Sequence, residues 1–344
     1  MRFIAFVSLI VAITAQAGCC PFIARKEPPF QGKYLVRGVG FSILGNFVLS
    51  KGESTDNGSI GVRLTDITCP SVRARERKVI NSGWEPGSNS DLLAQDWAKQ
   101  RLAKSPRHQE WVQVKYGNNP GRQVNSFIVY PEVKNKATAV VVIHEIFGMS
   151  DWVQSLTDQL ADAGYIAIAP DLLSGMGPKG GGSSDFADRS AIGQAIRDLP
   201  PDQITADLNA VADYVSKLPA ANGKVAVVGF CWGGSQSFRF ATNRPSLKAA
   251  FVFYGTAPDS KEALEKIKAP VYGFYGGNDA RVTATVPKTT DAMKELGKKY
   301  EPVTHEGAGH GFMRAGEDPA NTNEANKKAR EEAWTRWKKI LGSV

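Results

Sequence analysis

The chain has 344 residues, enough for one large domain or for one domain with an appendage around its own hydrophobic core. Hydrophobic residues make up 42% of the chain and charged residues 22%, proportions that are ordinary for a globular protein. Of the net charge of +8, the share carried by residues 21–110 is +5, and no basic stretch is interleaved with aromatic residues. We therefore expect no nucleic-acid partner.

Residues 1–17 have the pattern of an export signal peptide. Arg2 precedes an almost wholly apolar run over residues 3–15, and the Ala-Gln-Ala of residues 15–17 fits a small-x-small cleavage site. The run is shorter than the roughly 20 apolar residues of a membrane-spanning helix. We expect an exported, periplasmic or secreted protein with no stable membrane span once the signal is removed; a retained N-terminal anchor is the alternative.

The chain contains four cysteines, Cys19, Cys20, Cys69 and Cys231. They form no Cys-x-x-Cys pair, and we expect neither a metal site nor a cofactor. In an oxidising compartment Cys69 can pair with Cys19 or Cys20, a choice that the sequence leaves open. Cys19 is also a candidate for lipid attachment, although Gln16 stands where such sites have an aliphatic residue.

Residues 18–90 are rich in Gly, Pro, Ser and Asn, which favour turns. Short apolar runs at 40–49 and 60–64 are candidate strands. We predict that this segment is a poorly defined lead-in and that a single folded domain spans residues 91–344.

From residue 91 onward the pattern predicts helices and strands in alternation. A helix at 91–104 is followed by a hairpin of strands 111–116 and 124–130. The later predicted strands are 139–143, 165–169, 224–229, 249–254, 271–275 and 300–305. The later predicted helices are 151–163, 205–217, 235–242, 260–266, 286–296 and 323–341. Continuous apolar strands between helices predict an α/β fold, in which a mostly parallel sheet is covered by helices on both faces. Ligands of such sheets lie at the carboxyl ends of the strands.

Residues 229–234, Gly-Phe-Cys-Trp-Gly-Gly, directly follow the predicted strand 224–229. A strand, Gly-x-Cys-x-Gly and a helix together form the pattern of a nucleophile elbow, with cysteine in the place of serine. The glycines let strand and helix approach closely, and the helix that begins after Cys231 favours its thiolate. The alternative is a buried, inert cysteine in a glycine-rich turn.

Two further residues stand where this fold needs an acid and then a histidine. Asp279 ends the turn Gly-Gly-Asn-Asp after the strand 271–275, and His310 follows the strand 300–305 within Gly-Ala-Gly-His-Gly-Phe. An aspartate in such a turn often serves only to form the turn. Because nucleophile, acid and histidine occur in the required order at three strand ends, we predict a catalytic triad of Cys231, His310 and Asp279.

The motif His-Glu-Ile-Phe-Gly follows the predicted strand 139–143, where the fold places a loop that donates an oxyanion-hole amide. We predict that the backbone N–H groups of Ile146 and Trp232 form this hole, each stabilising the transition state by roughly 3 kcal/mol. Glu145 is an acid beside the expected site, and we interpret it as a candidate site residue. The alternative interpretation is that it is an exposed carboxylate of the loop. His144 is a rival base that we interpret as structural.

Together these motifs, with Gly-His-Gly-Phe-Met-Arg at 309–314, resemble the dienelactone hydrolase (carboxymethylenebutenolidase-like) family of α/β-hydrolases over residues 111–341. The resemblance implies the α/β-hydrolase fold and hydrolysis of a small ester or lactone by the Cys231 triad. It implies that Glu145 holds the thiol until substrate binding frees it to take the thiol proton. It further implies that arginines grip a substrate carboxylate, with Arg314 as one and Arg189 as the nearest candidate for a second.

Two other functions remain open. A general carboxylesterase would act on uncharged esters, and an α/β-hydrolase scaffold without catalysis would only bind a ligand or partner. The complete set of cysteine, histidine, aspartate and oxyanion-loop residues argues against the non-catalytic scaffold. The oligomeric state stays open.

Overall fold

The computed structural model describes residues 31–38, 41–48, 95–118 and 121–344. Four features of the sequence analysis lie outside them: the export signal, Cys19 and Cys20, Cys69, and the apolar run 60–64. The chain divides into two compact units, Met1–Gly87 and Ser88–Val344.

The first unit contains an antiparallel pair of strands, β1 (Gln31–Gly38) and β2 (Phe41–Val48). The register pairs Gln31 with Val48 and Gly38 with Phe41, so a two-residue connection joins the strands. The predicted strand at 40–49 is confirmed by β2. Its partner β1 was not predicted, because its glycines and charged residues break the apolar alternation.

The second unit is built on one eight-stranded sheet. Its strands are β3 (Gln109–Tyr116), β4 (Arg122–Val129), β5 (Ala137–Ile143), β6 (Ile166–Pro170), β7 (Ala221–Phe230), β8 (Ala250–Phe253), β9 (Val271–Gly276) and β10 (Tyr300–His305). They lie in the order β10-β9-β8-β7-β5-β6-β4-β3. All neighbours from β10 to β6 are parallel, whereas β4 is antiparallel to both β6 and β3. The predicted hairpin and the predicted mostly parallel sheet are both confirmed.

Helices fill the connections between these strands. They are α1 (Asp96–Ala103), α2 (Asp151–Asp162), α3 (Arg189–Arg197), α4 (Pro201–Ser216), α5 (Trp232–Asn243), α6 (Lys261–Glu265), α7 (Ala280–Thr283), α8 (Val286–Glu295), α9 (Phe312–Ala315) and α10 (Glu324–Leu341). Three of them, α3, α7 and α9, were not predicted. Among the residues that the structure describes, no helix is both long and apolar enough to cross a membrane.

The central strands of the sheet are buried on both faces, and the alternation of side chains along β5 shows how. Val141 belongs to a core on one face, where Ile204 and Leu208 of α4 pack. Val142 belongs to a core on the other face, which contains Trp152 of α2 and Trp337 of α10. Two fully buried faces hold the strands rigidly, so the loops at their carboxyl ends start from fixed positions.

Candidate active site

Cys231 lies between β7 and α5 in a backbone conformation that few non-glycine residues adopt. Its φ is +57° and its ψ is −118°. Such a conformation costs of order 1–3 kcal/mol and persists only where the surroundings impose it. The surroundings hold this backbone in part through a hydrogen bond, which the Cys231 amide donates to the carbonyl oxygen of Phe253 at 3.0 Å. The thiol is free and partly exposed, so the elbow presents it at the edge of the sheet.

The glycines around Cys231 are required by the close contact of β7, α5 and β5. A Cβ added to Gly229 would lie 1.8 Å from the carbonyl oxygen of Gly233. A Cβ added to Gly233 would lie 2.3 Å from the carbonyl oxygen of His144. Both distances are far inside van der Waals contact with backbone atoms, which explains the Gly-x-Cys-x-Gly pattern on steric grounds.

His310 joins the two other predicted triad residues. Its Nδ1 lies 2.5 Å from Oδ2 of Asp279, whose side chain is only 6% exposed, and it also hydrogen-bonds Cys231. Burial disfavours the protonated imidazole, but the hydrogen bonds and charges of Asp279 and Cys231 outweigh it and raise the pKa of His310 to about 9. The structure therefore brings Cys231, His310 and Asp279 together in one hydrogen-bonded series.

Glu145 is buried, with 3% of its side chain exposed, which disagrees with the alternative of an exposed loop carboxylate. Its Oε2 accepts a hydrogen bond from Nε of Arg314 at 2.9 Å, and its Oε1 lies 3.5 Å from the hydroxyl of Tyr254. The charge of Glu145 is the largest influence on Arg314 and raises the pKa of that guanidinium. Glu145 thus bonds Arg314 and Tyr254, while the thiol of Cys231 is bonded by His310.

Arg189 and Arg314 meet at the ring of Phe147. The guanidinium carbons lie 4.7 Å and 5.6 Å from the ring centroid, respectively, at distances typical of cation–π contacts. Burial, reinforced by the charge of Arg314, lowers the pKa of Arg189, and the charge of Glu145 opposes this shift. The structure therefore places Arg189, at the start of α3, in the same cluster as Arg314 and Glu145.

His144 is fully buried, and both of its ring nitrogens are engaged. Nδ1 donates to the carbonyl oxygen of Glu145 at 2.8 Å, and Nε2 accepts from the amide of Leu172 at 3.4 Å. Burial lowers the pKa of His144, so the ring stays neutral. With both nitrogens bound to backbone, the ring fixes the loop that carries Glu145.

A cavity of about 270 Å³ opens beside the thiol, and Ile146 and Trp232 line it together with Cys231. Trp232 is the first residue of α5, and an N–H group in the first turn of a helix has no acceptor within that helix. The two predicted oxyanion-hole residues therefore lie next to Cys231. Within the described ranges no group of three or more His, Cys, Asp or Glu side chains could hold a metal ion.

Tyr254 is a site residue that the sequence reasoning missed. It directly follows β8, has a φ of +42° and is buried, and its ring centroid lies 5.0 Å from that of His310 in an edge-on contact. Burial raises the pKa of its hydroxyl well above the ordinary value, so Tyr254 keeps its proton and can donate to Glu145. A tyrosine that ends an apolar strand has the sequence pattern of a core residue; only its position at a carboxyl strand end could have indicated the site.

Comparison with known proteins places this arrangement in a family. The model of the "Dienelactone hydrolase family" matches residues 124–344. A protein of Saccharolobus solfataricus named "Putative carboxymethylenebutenolidase" is 29% identical over 263 residues, which are 66% of this chain and 96% of that protein. A protein of the same name from Salmonella typhimurium is 32% identical over 56% of this chain and 74% of its own length.

Solved structures agree with the sequence comparisons. The crystal structure titled "Putative Dienelactone Hydrolase" from Klebsiella pneumoniae has a TM-score of 0.59 and 25% identity, and the match covers 69% of this chain and all of that one. The family model spans well over half of the chain, up to its last residue. The protein is therefore a hydrolase that belongs to the dienelactone hydrolase family.

Proposed function

We propose that the chain cleaves an ester or lactone bond through an acyl-enzyme on Cys231, with His310 and Asp279 as the other triad residues. The observation that supports this most strongly is the position of His310, bonded to Asp279 through Nδ1 at 2.5 Å and also hydrogen-bonded to the thiol. A nucleophile, a base and an orienting acid in series are the arrangement that nucleophilic acyl transfer requires.

In the first half of the reaction the thiol gives its proton to the Glu145 carboxylate, and the thiolate attacks the carbonyl carbon. The negative charge that develops on the carbonyl oxygen is stabilised by the N–H groups of Ile146 and Trp232. As the tetrahedral intermediate collapses, the protonated His310 gives its proton to the leaving alkoxide, and a thioester to Cys231 remains. Asp279 keeps the ring in the tautomer and orientation that this transfer needs.

In the second half a water molecule attacks the thioester. His310 takes a proton from this water, the same two amides stabilise the oxyanion, and Cys231 leaves as the thiolate. The products are a carboxylic acid and the alcohol, which in a lactone are parts of the same molecule.

We further propose that the substrate carries a carboxylate that pairs with Arg314 and Arg189. A planar guanidinium presents two parallel donors to a carboxylate, and two such groups lie around Phe147. Because Glu145 already occupies Arg314, an incoming carboxylate would displace it. Glu145 would then be free to take the thiol proton, the role that the family resemblance implies.

A general carboxylesterase for uncharged esters is the second candidate, and one observation favours it. The pairing of Arg314 with Glu145 compensates the positive charge of that guanidinium, and the cavity wall includes the apolar side chains of Ile146 and Val282. An uncharged acyl group would fit such a wall without any new ion pair.

A hydrolysis screen distinguishes these candidates. Lactones and aryl esters, each with and without a carboxylate, should be tested on the wild-type enzyme and on Cys231→Ala. Preference for acid-bearing substrates supports the carboxylate proposal, and equal rates support the general esterase. Alkylation with iodoacetamide tests whether the chain is a non-catalytic scaffold. If activity is lost in proportion to the modification of Cys231, and the same loss occurs in a Cys69→Ser control, the scaffold is excluded.

A further inference from the structure

Arg281 is an exposed residue at the wall of the cavity beside Cys231, and the proposed mechanism gives it no role. It is the second residue of α7, two positions after Asp279, and it lines the cavity that contains Cys231. In the part of the chain that the structure describes, Arg281 makes no hydrogen bond or ion pair. The nearest acid in sequence, Asp279, is bound to His310. A guanidinium with all its donors available thus borders the space beside the thiol.

Two hydroxyl groups line the same cavity and leave a donor unused. The hydroxyl oxygens of Ser235 and Thr256 lie 3.2 Å apart, and the Ser235 oxygen also accepts the amide of Thr256 at 2.8 Å. One of the two hydroxyl hydrogens forms the bond between them. The other hydrogen remains for an acceptor in the cavity, whichever of the two residues carries it.

We infer that Arg281, with the Ser235–Thr256 hydroxyl pair, forms a second carboxylate subsite, separate from the cluster of Arg189 and Arg314. Resting on the proposed function, this inference assigns the substrate class: an ester or lactone with two acid groups, one for Arg281 and one for the Arg189 and Arg314 cluster, which does not line this cavity. The cavity of about 270 Å³ is smaller than the 300–1,000 Å³ typical of drug-sized sites. A short acid-bearing chain of a few carbons matches that volume, and a guanidinium beside a hydroxyl donor matches a carboxylate.

A set of four aryl esters tests the subsite. Phenyl pentanoate is neutral, phenyl hydrogen glutarate has its acid in the acyl part, 4-(pentanoyloxy)benzoate has it in the leaving group, and 4-(glutaryloxy)benzoate has both. The quantity to measure is kcat/KM for the diacid divided by kcat/KM for the neutral ester. We expect Arg281→Ala to lower this ratio by about tenfold. An effect of this size is larger than that of an exposed ion pair and smaller than that of a buried charged hydrogen bond. Arg314→Ala should lower the same ratio, and the effects of the double variant should multiply, because the two arginines hold different carboxylates.

Lys288→Ala is the matched control. Lys288 is an exposed cation seven positions further along the chain and does not line the cavity. Its removal changes the net charge equally and should leave the ratio unaltered. A ratio that falls as much in Lys288→Ala, or that stays constant in Arg281→Ala, overturns the subsite. So does a diacid that is neither hydrolysed nor able to inhibit hydrolysis of the neutral ester.

Binding without turnover separates the subsite from the catalytic proposal. In the Cys231→Ala background, glutarate binding is measured by calorimetry with Arg281 present and with Arg281→Ala, and butyrate serves as the monoacid comparison. A roughly tenfold weaker affinity for glutarate, with a smaller change for butyrate, supports the subsite even if Cys231 proves not to be the nucleophile. Equal affinities in the two proteins reject the subsite even if the triad is correct.

Discussion

The carboxylate of Glu145 lies 2.9 Å from Nε of Arg314, and this ion pair connects the loop after β5 to the start of α9. The acid is almost completely buried, whereas 27% of the arginine side chain is exposed. Removing the arginine would leave a buried negative charge uncompensated, which is usually costly. The pair therefore stabilises the loop, and a substrate acid can compete for its accessible member.

Replacement of the nucleophile is the most direct test of the triad. We expect Cys231→Ala to abolish hydrolysis with the fold intact, because a small residue still fits the turn. Cys231→Ser should retain only slight activity, since His310 is placed for a thiol. Turnover of an aryl ester and the circular dichroism spectrum check both variants. More than a few per cent of wild-type turnover in the alanine variant would exclude Cys231 as the nucleophile.

Arg314→Ala should reduce kcat/KM far more for an acid-bearing lactone than for an uncharged aryl ester. A partly desolvated bidentate pair contributes about 2–3 kcal/mol, so the ratio between the two substrates should change by roughly 30- to 150-fold. Arg314→Lys should recover only part of this, because an ammonium lacks the planar fork.

The control for Arg314 is Arg101→Ala, which removes another arginine from an ion pair, here with Glu317. It should leave the substrate ratio unchanged. If both substrates lose activity equally in Arg314→Ala, the arginine serves only the structure and the carboxylate proposal is wrong.

The pKa of about 9 at His310 predicts an alkaline limit to activity. Below this pH the ring is protonated and can give a proton to an alkoxide; above it kcat/KM for an alkyl ester or lactone should fall. Asp279→Asn removes a group that raises this pKa, so the decline should move to lower pH. An unmoved decline would show that another group titrates.

The same shift affects the free energy of unfolding. Because the pKa of His310 in the folded state exceeds the ordinary value near 6.5, the stabilisation that comes from protonated His310 is complete below pH 6.5 and is lost as the pH rises through about 9.

Gly229→Ala should prevent stable folding, since the added Cβ would lie 1.8 Å from a backbone oxygen that belongs to the elbow itself. A loss of 4 kcal/mol or more, at the far end of single-residue effects, is expected in denaturant unfolding. Gly342→Ala is the control, because its nearest atom lies at an ordinary 3.5 Å. Similar unfolding midpoints for the two variants would contradict the steric argument.

We propose that residues 1–17 direct export and are then removed. Protein isolated from a native host should begin near Gly18 and occur outside the cytoplasm. Intact-mass measurement and N-terminal sequencing check this, and a cytosolic chain that retains Met1 would refute it. The same mass measurement detects a lipid on Cys19 or a disulfide to Cys69.

The sequence predicted the sheet, and the strand ends after which the triad candidates lie, for a physical reason. Strands buried on both faces are continuous apolar runs, and the glycines around Cys231 are required by backbone contacts within a few residues of it. Asp279 comes three residues after such a run, the buried strand β9, whereas His310 comes five residues after the edge strand β10, which is only partly buried. Local sequence pattern and tertiary structure agree in the buried strands and at the glycines, so the pattern alone was sufficient to predict the strands and the turn at Cys231.

The interactions that the sequence could not predict are those between side chains on distant segments. The contact of Glu145 with Arg314 joins residues 169 positions apart, and Tyr254 approaches both Glu145 and His310 only after the sheet has formed. Arg189 begins a helix that follows a glycine-rich segment with no apolar period, so its place beside Phe147 depends on tertiary packing.

The backbone of Cys231 has a consequence for the balance between stability and activity. A residue with a side chain held at a φ of +57° makes the folded state less stable than glycine at the same position would. Cys231→Gly should therefore melt at a higher temperature than Cys231→Ala while being equally inactive. The chain gives up part of its folding free energy to present a thiol at this turn, and selection for heat resistance alone would replace Cys231 by glycine.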